Sequence, residues 1–227
     1  MNYSIEKKER IVGLFLFTGL IAGIFSIAPA IDSINYLTDA STNFNQVVTA
    51  AIFQFMMSLT YLGGAILVYP IVKQYSHSLS IGFLSFRIIA VTLSIVGTII
   101  MLAILVLSEN YVKAISRDTS GIQALADALK SSRDNVNHIF MILILCSGNI
   151  LLYMLFLKSK LLPKWISFWG VIGTALSIIA SGLVLFREIV VITVEYIILN
   201  IPTAILELIL GMWLIFKGFN KVDNKIQ

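Results

Sequence analysis

The stretch that decides the fold is residues 196–216, YIILNIPTAILELILGMWLIF, because it carries a carboxylate, Glu207, near the middle of a segment otherwise suited to lipid. About 20 consecutive apolar residues are enough to cross a bilayer as an α-helix. A charge near the centre of such a helix costs roughly 3 kcal/mol or more unless it faces protein, water or a charged partner. The stretch therefore predicts a membrane-spanning helix whose carboxylate faces the interior of a bundle.

The composition of the whole chain agrees with this interpretation. Of the 227 residues, 58% are hydrophobic and 12% are charged, and the mean hydropathy is +0.93. A typical globular chain has about 25% charged residues. Here the charges fall in clusters between apolar runs, so we expect the excess apolar surface to face a lipid bilayer. The surplus of positive charge is explained by loop orientation, which excludes nucleic acid as a partner.

Six apolar runs predict an all-α, polytopic membrane bundle in a single domain, residues 1–227. The predicted transmembrane helices are 11–31, 47–72, 81–107, 139–157, 165–186 and 196–216. The run Ile189 to Val194 is too short to cross and predicts an interfacial or re-entrant piece. The first run precedes Ala28-Pro29-Ala30, which resembles a signal-peptide cleavage site. Since its apolar region exceeds the roughly 7–15 residues of cleaved signals, we expect the span to be retained.

The segment between the third and fourth spans predicts a helix of its own. Ile122, Leu125, Ala126 and Leu129 recur at helical spacing, which indicates an external amphipathic helix over 121–132. Two positions suit such a helix. It either rests on the membrane surface or covers the outer mouth of the bundle.

Charge asymmetry predicts the orientation of the six spans, because cytoplasmic loops carry an excess of Lys and Arg. Ten of the 16 basic residues fall in segments assigned to the inside: Lys7, Lys8, Arg10, Lys73, Lys158, Lys160, Lys164, Lys217, Lys221 and Lys225. Five fall in segments assigned to the outside, where most of the acids also lie: Lys113, Arg117, Lys130, Arg133 and Arg187. Both termini are therefore predicted to be cytoplasmic.

Arg87 is the other candidate for an intramembrane charge, and its sign is opposite to that of Glu207. If the third helix enters the membrane at Ile81, Arg87 lies about 9 Å inside, at about 1.5 Å per residue. If the helix enters at Ile88, Arg87 instead snorkels to the interface. The buried alternative predicts an Arg87–Glu207 pair around which the helices are arranged.

Asn149 joins these two charges in a predicted polar cluster in the inner half of the membrane. Glu207 and Asn149 both lie roughly 12–14 Å from the inner ends of their helices. In one interpretation the cluster is a packing device that fixes helix register. In the other, a hydrated cavity opens to the cytoplasm and Glu207 binds a cation or carries a proton. Pro202 would free a backbone carbonyl for such a site.

Small residues on two helices predict close helix packing. Gly19 and Gly23 stand four apart in the first span, a spacing typical of helix contacts in membranes. Ordinary packing within the bundle and a dimer interface are both compatible with this pair. The fifth span has a face of small residues that favours a central position: Gly170, Thr174, Ser177 and Ser181.

The sequence lacks the motifs of known chemistry. It has no HExxH, no GxSxG, no Gly-rich phosphate loop and no pair of membrane-embedded acids. His77 and His138 are predicted on opposite sides of the membrane, so we expect no metal site. Cys146 is the single cysteine, so no internal disulfide can form. Catalysis is unsupported, and we expect no cofactor.

Several short motifs together resemble one family. They are Tyr69-Pro70, Phe86-Arg87, NILLY at 149–153, LPKWIS at 162–167, PTAILE at 202–207 and WLIFKGF at 213–219. The combination is similar to the bacterial membrane proteins grouped as domain of unknown function 4386, across nearly the whole chain. The resemblance implies a six-helix protein of the bacterial cytoplasmic membrane and supplies no activity. Tyr69 and Tyr153, which lie in these motifs, join Arg87, Asn149 and Glu207 as candidate binding or ion-pair residues.

Three functions are compatible with these features. The first is a protein that binds or transports an unknown small molecule or ion at the inner-half cluster. The second is an accessory or sensory membrane protein in which the cluster only fixes packing. An integral membrane enzyme is third, disfavoured by the missing nucleophile and metal pattern. The sequence carries no signal for an oligomeric state.

Overall fold

The computed structural model describes residues 2–114, 118–191 and 193–220, with side chains from residue 7 onward. Within these ranges the chain is helical and has no strand. Five helices there are long and apolar enough to cross a membrane. The described part of the chain is therefore all-helical, and its long apolar helices indicate a membrane protein. Arg117, Lys221 and Lys225 of the charges counted above, and Ile192 of the short run 189–194, lie outside the described residues.

The described helices fall into long elements joined by short ones. The first long helix, α1 (Asn2–Phe25), is followed by two short helices, α2 (Pro29–Asp32) and α3 (Tyr36–Thr42). The other elements are α4 (Phe44–Val72), α5 (His77–Lys113), α6 (Ser120–Asp134), a π-helical turn (Asn135–Phe140), α7 (Met141–Ser159), α8 (Lys164–Leu185) and α9 (Val194–Phe216).

The first predicted span, 11–31, is divided in the structure. The helix α1 ends at Phe25, and Pro29 starts α2 after a turn in which Ser26 Oγ donates to the Gly23 carbonyl at 2.7 Å. Because Lys8, Glu9 and Arg10 occupy the first half of α1, its uncharged part is shorter than a typical span. The five candidate spans are α4, α5, the continuous run Ser120–Ser159, α8 and α9.

Local sequence signals explain several helix ends. Lys160 adopts a left-handed conformation with φ of 57°, which stops α7. Pro163 directly precedes α8. Its fixed φ restricts the backbone at the point where this helix begins. Thr193 caps α9, because its side chain accepts a hydrogen bond from the Tyr196 backbone N–H at 3.4 Å.

The six long helices form a closed ring. Each of α1, α4, α5, α7, α8 and α9 packs against the next in this order, and α9 packs back against α1. Glycines allow the closing contact: a Cβ on Gly13 of α1 would lie 2.7 Å from the Gly211 carbonyl oxygen of α9. Side chains from all six helices can therefore share one interior.

The ring has two apolar cores, one at each end. At the end that holds residues 7–12 and 216–220, here called the terminal end, Val72, Phe156 and Leu214 belong to one buried cluster. At the opposite end, here called the far end, Ile31, Met101 and Ala126 belong to another. The helix α6 packs along α5 at the far end, with Ala126 fully buried. Buried polar residues lie between the two cores.

Candidate functional site

Arg87 on α5 carries a charge into the ring interior, and its side chain is buried there, 8% exposed. The sequence left two positions open for Arg87, one buried in the bundle and one at the membrane interface. In the structure its side chain is buried among the helices. Its Nη2 donates to Asn149 Oδ1 on α7 at 2.8 Å. The guanidinium also lies over the rings of Tyr61 and Phe83, 5.7 and 5.6 Å from their centroids. Two cation–π contacts and a charge-assisted hydrogen bond thus compensate its desolvation.

Glu207 on α9 is half-buried and accepts a hydrogen bond from Tyr61 Oη on α4 at 2.7 Å. The Tyr61 side chain of α4 can reach α9 because α1, which packs between these two helices, has a glycine at this level. A Cβ on Gly19 would lie 3.0 Å from Thr60 Oγ1 and 3.3 Å from the Tyr61 ring. Glycine at this position therefore leaves room for the tyrosine that reaches the carboxylate.

The expected direct contact between Arg87 and Glu207 is not formed. In the described ranges, the ion pairs within 4.0 Å are those of Arg133 with Asp32 and Asp134. Tyr61 links the two charges instead, with its hydroxyl on Glu207 and its ring under Arg87. The ring order explains the difference, because α5 packs between α4 and α7 while α9 packs between α8 and α1.

The two tyrosines suggested by the family motifs occupy different places. Tyr153 on α7 is 4% exposed, lies against Gly170 of α8 and follows Asn149 by one helical turn. Tyr69 lies toward the terminal end, with the Lys73 Nζ 5.6 Å from its ring centroid. The structure thus brings Tyr153 into the inner cluster, defined here as Tyr61, Arg87, Asn149, Tyr153 and Glu207, and leaves Tyr69 outside it.

The small-residue face of α8 contacts its two neighbours. Gly170 packs on Tyr153, and Ser177 Oγ lies 3.1 Å from Thr203 Oγ1 of α9. Ser181 Oγ donates to the His138 carbonyl of the π-helical turn at 2.9 Å. Thr174 is 1% exposed, and its hydroxyl has no hydrogen-bond partner among the described residues. In the first span, Gly19 and Gly23 pack against α4 of the same chain.

A second polar level lies between the inner cluster and the far end. Gln54 Nε2 on α4 donates to the Ser94 carbonyl at 3.2 Å and to Asn137 Oδ1 at 3.3 Å. Ser58 Oγ donates to Ser94 Oγ at 2.9 Å. Asn137 fits because Gly97 of α5 has no side chain. These hydrogen bonds join α4, α5 and the π-helical turn inside the ring.

A cavity of about 400 Å³ adjoins this level at the far end. Its polar lining comes from seven residues: Ser26, Asp32, Gln54, Arg133, Asn137, His138 and Tyr196. Met57, Met141, Ile142 and Ile197 supply most of the apolar wall. The hydrated cavity considered from the sequence was expected at Glu207 and on the cytoplasmic side, whereas this one lies at the far end and Glu207 does not line it. We call it the far-end cavity.

An ion pair forms part of the lining of the far-end cavity. Arg133 Nη1 lies 2.6 Å from Asp32 Oδ1 and 3.2 Å from Asp134 Oδ1. Arg133 is 5% exposed, and its Nε has no hydrogen-bond partner among the described residues. Nearby, Tyr36 Oη donates to Asp127 Oδ1 at 2.6 Å. Burial and this carboxylate raise the pKa of Tyr36 well above its usual value of 10.0.

Sequence reasoning did not identify the far-end cavity, although one signal was present. Tyr196, Asn200, Thr203 and Glu207 recur at intervals of four, three and four on α9, which is the spacing of one helix face. Such a stripe indicates that a polar surface continues from Glu207 toward the far end. The π-helical turn that brings Asn137 and His138 to the cavity has no comparable sequence signal, although such turns often mark functional sites.

The cavity and inner cluster do not resemble a metal centre. In ranges 2–114, 118–191 and 193–220, no group of three or more His, Cys, Asp or Glu could hold a metal ion.

Comparison with curated proteins and with solved structures returned no match. A family model does match residues 11–218, which is most of the chain. The chain therefore belongs to the family described as Domain of unknown function (DUF4386).

Proposed function

We propose that this protein binds a small molecule or ion inside its ring and serves as a route for that solute between the far-end cavity and the inner cluster. The observation that supports the proposal is the continuity of polar side chains along the ring interior. On α4, Gln54, Ser58 and Tyr61 lie on one face, at intervals of four and three residues. These residues connect the cavity with the Glu207 carboxylate.

The polar face of α4 covers the distance between the two sites. Gln54 lines the far-end cavity and Tyr61 contacts Glu207. Seven residues of helix separate them, about 10 Å at about 1.5 Å per residue. Ser58 and Ser94 lie between and are hydrogen-bonded to each other. A solute that leaves the cavity thus meets hydroxyl groups before it meets the buried charges.

We further propose six spans, with α1 as the first, and both termini on the cytoplasmic side of the bacterial cytoplasmic membrane. The excess of Lys and Arg at the terminal end supports this orientation. In this arrangement the far-end cavity opens to the outside. The inner cluster then lies in the cytoplasmic half, where Glu207 receives a cation or a proton.

An accessory or sensory role remains the second candidate, and one observation favours it. Arg87 and Glu207 each already have a hydrogen-bond partner, as polar groups that only fix packing would. The two functions differ in whether water and solutes reach the ring interior. Accessibility therefore discriminates them better than stability does.

The test is cysteine labelling in intact membranes. The only native cysteine is replaced, Cys146→Ala, and single cysteines are introduced as Met57→Cys in the cavity and Ser58→Cys below it. Ile52→Cys is the matched control, because Ile52 is on the same helix and 55% exposed on the outer surface of the ring. Ile34→Cys, 97% exposed in the loop after α2, reports that the reagent works.

We expect a charged, membrane-impermeant methanethiosulfonate to modify Met57→Cys, and Ser58→Cys more slowly. Ile52→Cys should stay unmodified, because a charged reagent does not partition into lipid. If both interior positions were as unreactive as Ile52→Cys while Ile34→Cys reacted, the interior would be closed to solutes. The accessory role would then be preferred.

A further inference from the structure

Opposite charges meet at the far-end cavity. Asp32 comes from α2, and Arg133 from the last turn of α6. Their side chains are 22% and 6% exposed, and both residues line the cavity. The pair is therefore part of the cavity wall, where a ligand with charged groups can reach it.

Arg133 retains hydrogen-bonding capacity beyond this pair. Its Nη1 is the atom that contacts Asp32 and Asp134, while Nε has no partner among the described residues. Buried donors in proteins are nearly always satisfied, so a guanidinium that lines a cavity and keeps an unpartnered N–H can turn that N–H toward an acceptor in the cavity. Arginine binds carboxylates through two parallel N–H groups, and Nε can supply one of them.

Asp32 is the negatively charged side of the pair and can accept hydrogen bonds from a cationic group. Its carboxylate also lines a second cavity, of about 460 Å³, together with Ser33, Lys130 and Asp134. The two cavities share Asp32 and Ile27, so the Asp32–Arg133 contact lies where they meet. A group that took Arg133 away from Asp32 would leave this carboxylate facing both volumes.

We propose that the far-end cavity binds a zwitterionic small molecule, with an anionic group on Arg133 and an ammonium group on Asp32. Charge balance carries the choice of ligand class. A simple anion that displaced Asp32 would leave that carboxylate without its partner, and a simple cation on Asp32 would leave Arg133 with Asp134 alone, at 3.2 Å instead of the 2.6 Å contact to Asp32. Breaking a buried pair on one side is strongly unfavourable. A ligand with both charges replaces one ion pair by two.

The rest of the cavity restricts the body of the ligand. Met57, Met141, Ile142 and Ile197 offer an apolar, adaptable wall. A volume of about 400 Å³ is at the lower end of the range for small-molecule sites. These features favour a compact zwitterion with an apolar side chain, of the size of an amino acid, over a phospholipid or a peptide.

This inference rests on the proposed function, and its test uses the full chain in detergent micelles. Thermal unfolding is measured with L-leucine and L-phenylalanine as probes. Each is compared with its decarboxylated amine and with its deaminated acid, which keep the side chain and remove one charge. We expect the amino acids to raise Tm by about 2–4 °C at saturation. The amines and acids should leave Tm unchanged.

Two variants connect the shift to the ion pair. Asp32→Asn and Arg133→Gln should each abolish the Tm shift by the amino acids. Asp39→Asn is the matched control, because Asp39 lies at the same end, has the same charge and accepts from Ser33 Oγ. It should keep the full shift. If Arg133→Gln fails to fold, Asp32→Asn still tests the site, because Asp134 continues to pair with Arg133.

Three results would overturn the ligand class: no shift with either amino acid, an equal shift with an amine or an acid alone, or an unchanged shift in Asp32→Asn. The cysteine experiment separates this failure from failure of the proposed function. Labelled Met57→Cys and Ser58→Cys with no zwitterion effect would leave an open interior with another solute. When the inference holds, L-phenylalanine also slows the labelling of Met57→Cys.

Discussion

Tyr61 and Glu207 are 146 positions apart in the sequence, and a hydrogen bond of 2.7 Å joins them across the ring interior. The tyrosine hydroxyl gives the carboxylate its donor, and the tyrosine ring gives Arg87 a π face at 5.7 Å. The two intramembrane charges are thus coupled through a neutral side chain. A proton or cation at Glu207 would change the environment of Arg87 without direct contact between them.

The first prediction concerns this link. Tyr61→Phe keeps the ring under Arg87 and removes the donor to Glu207, so we expect a loss of about 1.5–3 kcal/mol in the free energy of unfolding. Glu207→Gln in the same background should recover part of the loss, because no charge is then left without a donor. Tyr69→Phe is the control on the same helix and should change stability by less than about 0.5 kcal/mol. Equal effects of the two Tyr→Phe changes would contradict the assigned role of Tyr61.

The second prediction concerns Arg87. Arg87→Leu leaves Asn149 Oδ1 without its donor and removes the buried cation beside Glu207, so we expect destabilisation of about 3–5 kcal/mol. Arg87→Lys should also be destabilising, because an ammonium lacks the planar guanidinium that contacts Asn149 and lies over the Tyr61 and Phe83 rings. Thermal unfolding in detergent measures both changes. Arg187→Leu, an exposed site at the far end, is the control and should have little effect.

A double-mutant cycle distinguishes direct from indirect coupling. The Arg87–Asn149 contact of 2.8 Å should show an interaction energy of about 1 kcal/mol or more. The Arg87–Glu207 cycle should show a smaller value, because Tyr61 separates the two groups. A larger value for Arg87–Glu207 would indicate a direct pair, as the sequence first suggested.

The third prediction concerns ring closure. A Cβ on Gly13 would meet the Gly211 carbonyl oxygen at 2.7 Å and the Ile215 backbone N at 2.9 Å, so Gly13→Ala must move α1 away from α9. We expect a loss of about 1–3 kcal/mol, the usual cost of overpacking. Gly182→Ala on α8 is the matched control, because no atom lies within 4 Å of its added Cβ. It should be neutral or stabilising, since alanine is the better helix former.

The fourth prediction concerns orientation. In a chain with Cys146→Ala, a cysteine at Lys160 should react with an impermeant reagent only after the membrane is opened, because Lys160 is assigned to the cytoplasmic side. Ile34→Cys should react in intact cells. Reversed reactivity at the two positions would invert the proposed topology.

The fifth prediction concerns pH and α3. Burial and the Asp127 carboxylate raise the pKa of Tyr36, so the folded state holds this proton more tightly than the unfolded state. The contribution of Tyr36 to stability is complete below pH 10 and decreases as the pH rises beyond it. Comparison of wild type with Tyr36→Phe between pH 8 and pH 11 measures it. The variant should be less stable at pH 8, and the difference should shrink with rising pH. Lys130 also faces the Tyr36 ring, so Lys130→Met is a useful second background.

Sequence reasoning identified the membrane class and most polar members of the inner cluster, because hydropathy and isolated charges are local signals. Arg87, Asn149, Tyr153 and Glu207 were all selected, and the structure places them around Tyr61. Tyr61 itself was seen only as a polar residue of its span. Its position between two charges depends on Gly19 of another helix, which is a tertiary relationship that a single sequence does not encode locally.

The far end was less predictable for a different reason. The segment after α5 predicted a separate amphipathic helix, whereas α6 continues through the π-helical turn into α7. The polar residues Asn135, Asn137 and His138 resemble a loop in sequence. They remain helical because the ring supplies partners: Gln54 for Asn137 and Tyr196 for His138. Side-chain partners from other helices overrode the local pattern.

The contact between the first and last long helices has a consequence for biosynthesis. A chain made from its N-terminus contains α1 early, yet Gly211, which packs on Gly13, and the Phe219 backbone N–H, which donates to Glu9 Oε2, are made about 200 residues later. Until then α4 is the only ring neighbour available to α1, and the Tyr61 hydroxyl lacks its acceptor, Glu207. Assembly of the polar interior must therefore wait until α9 has been made, and truncation before α9 should leave the ring open between α8 and α1.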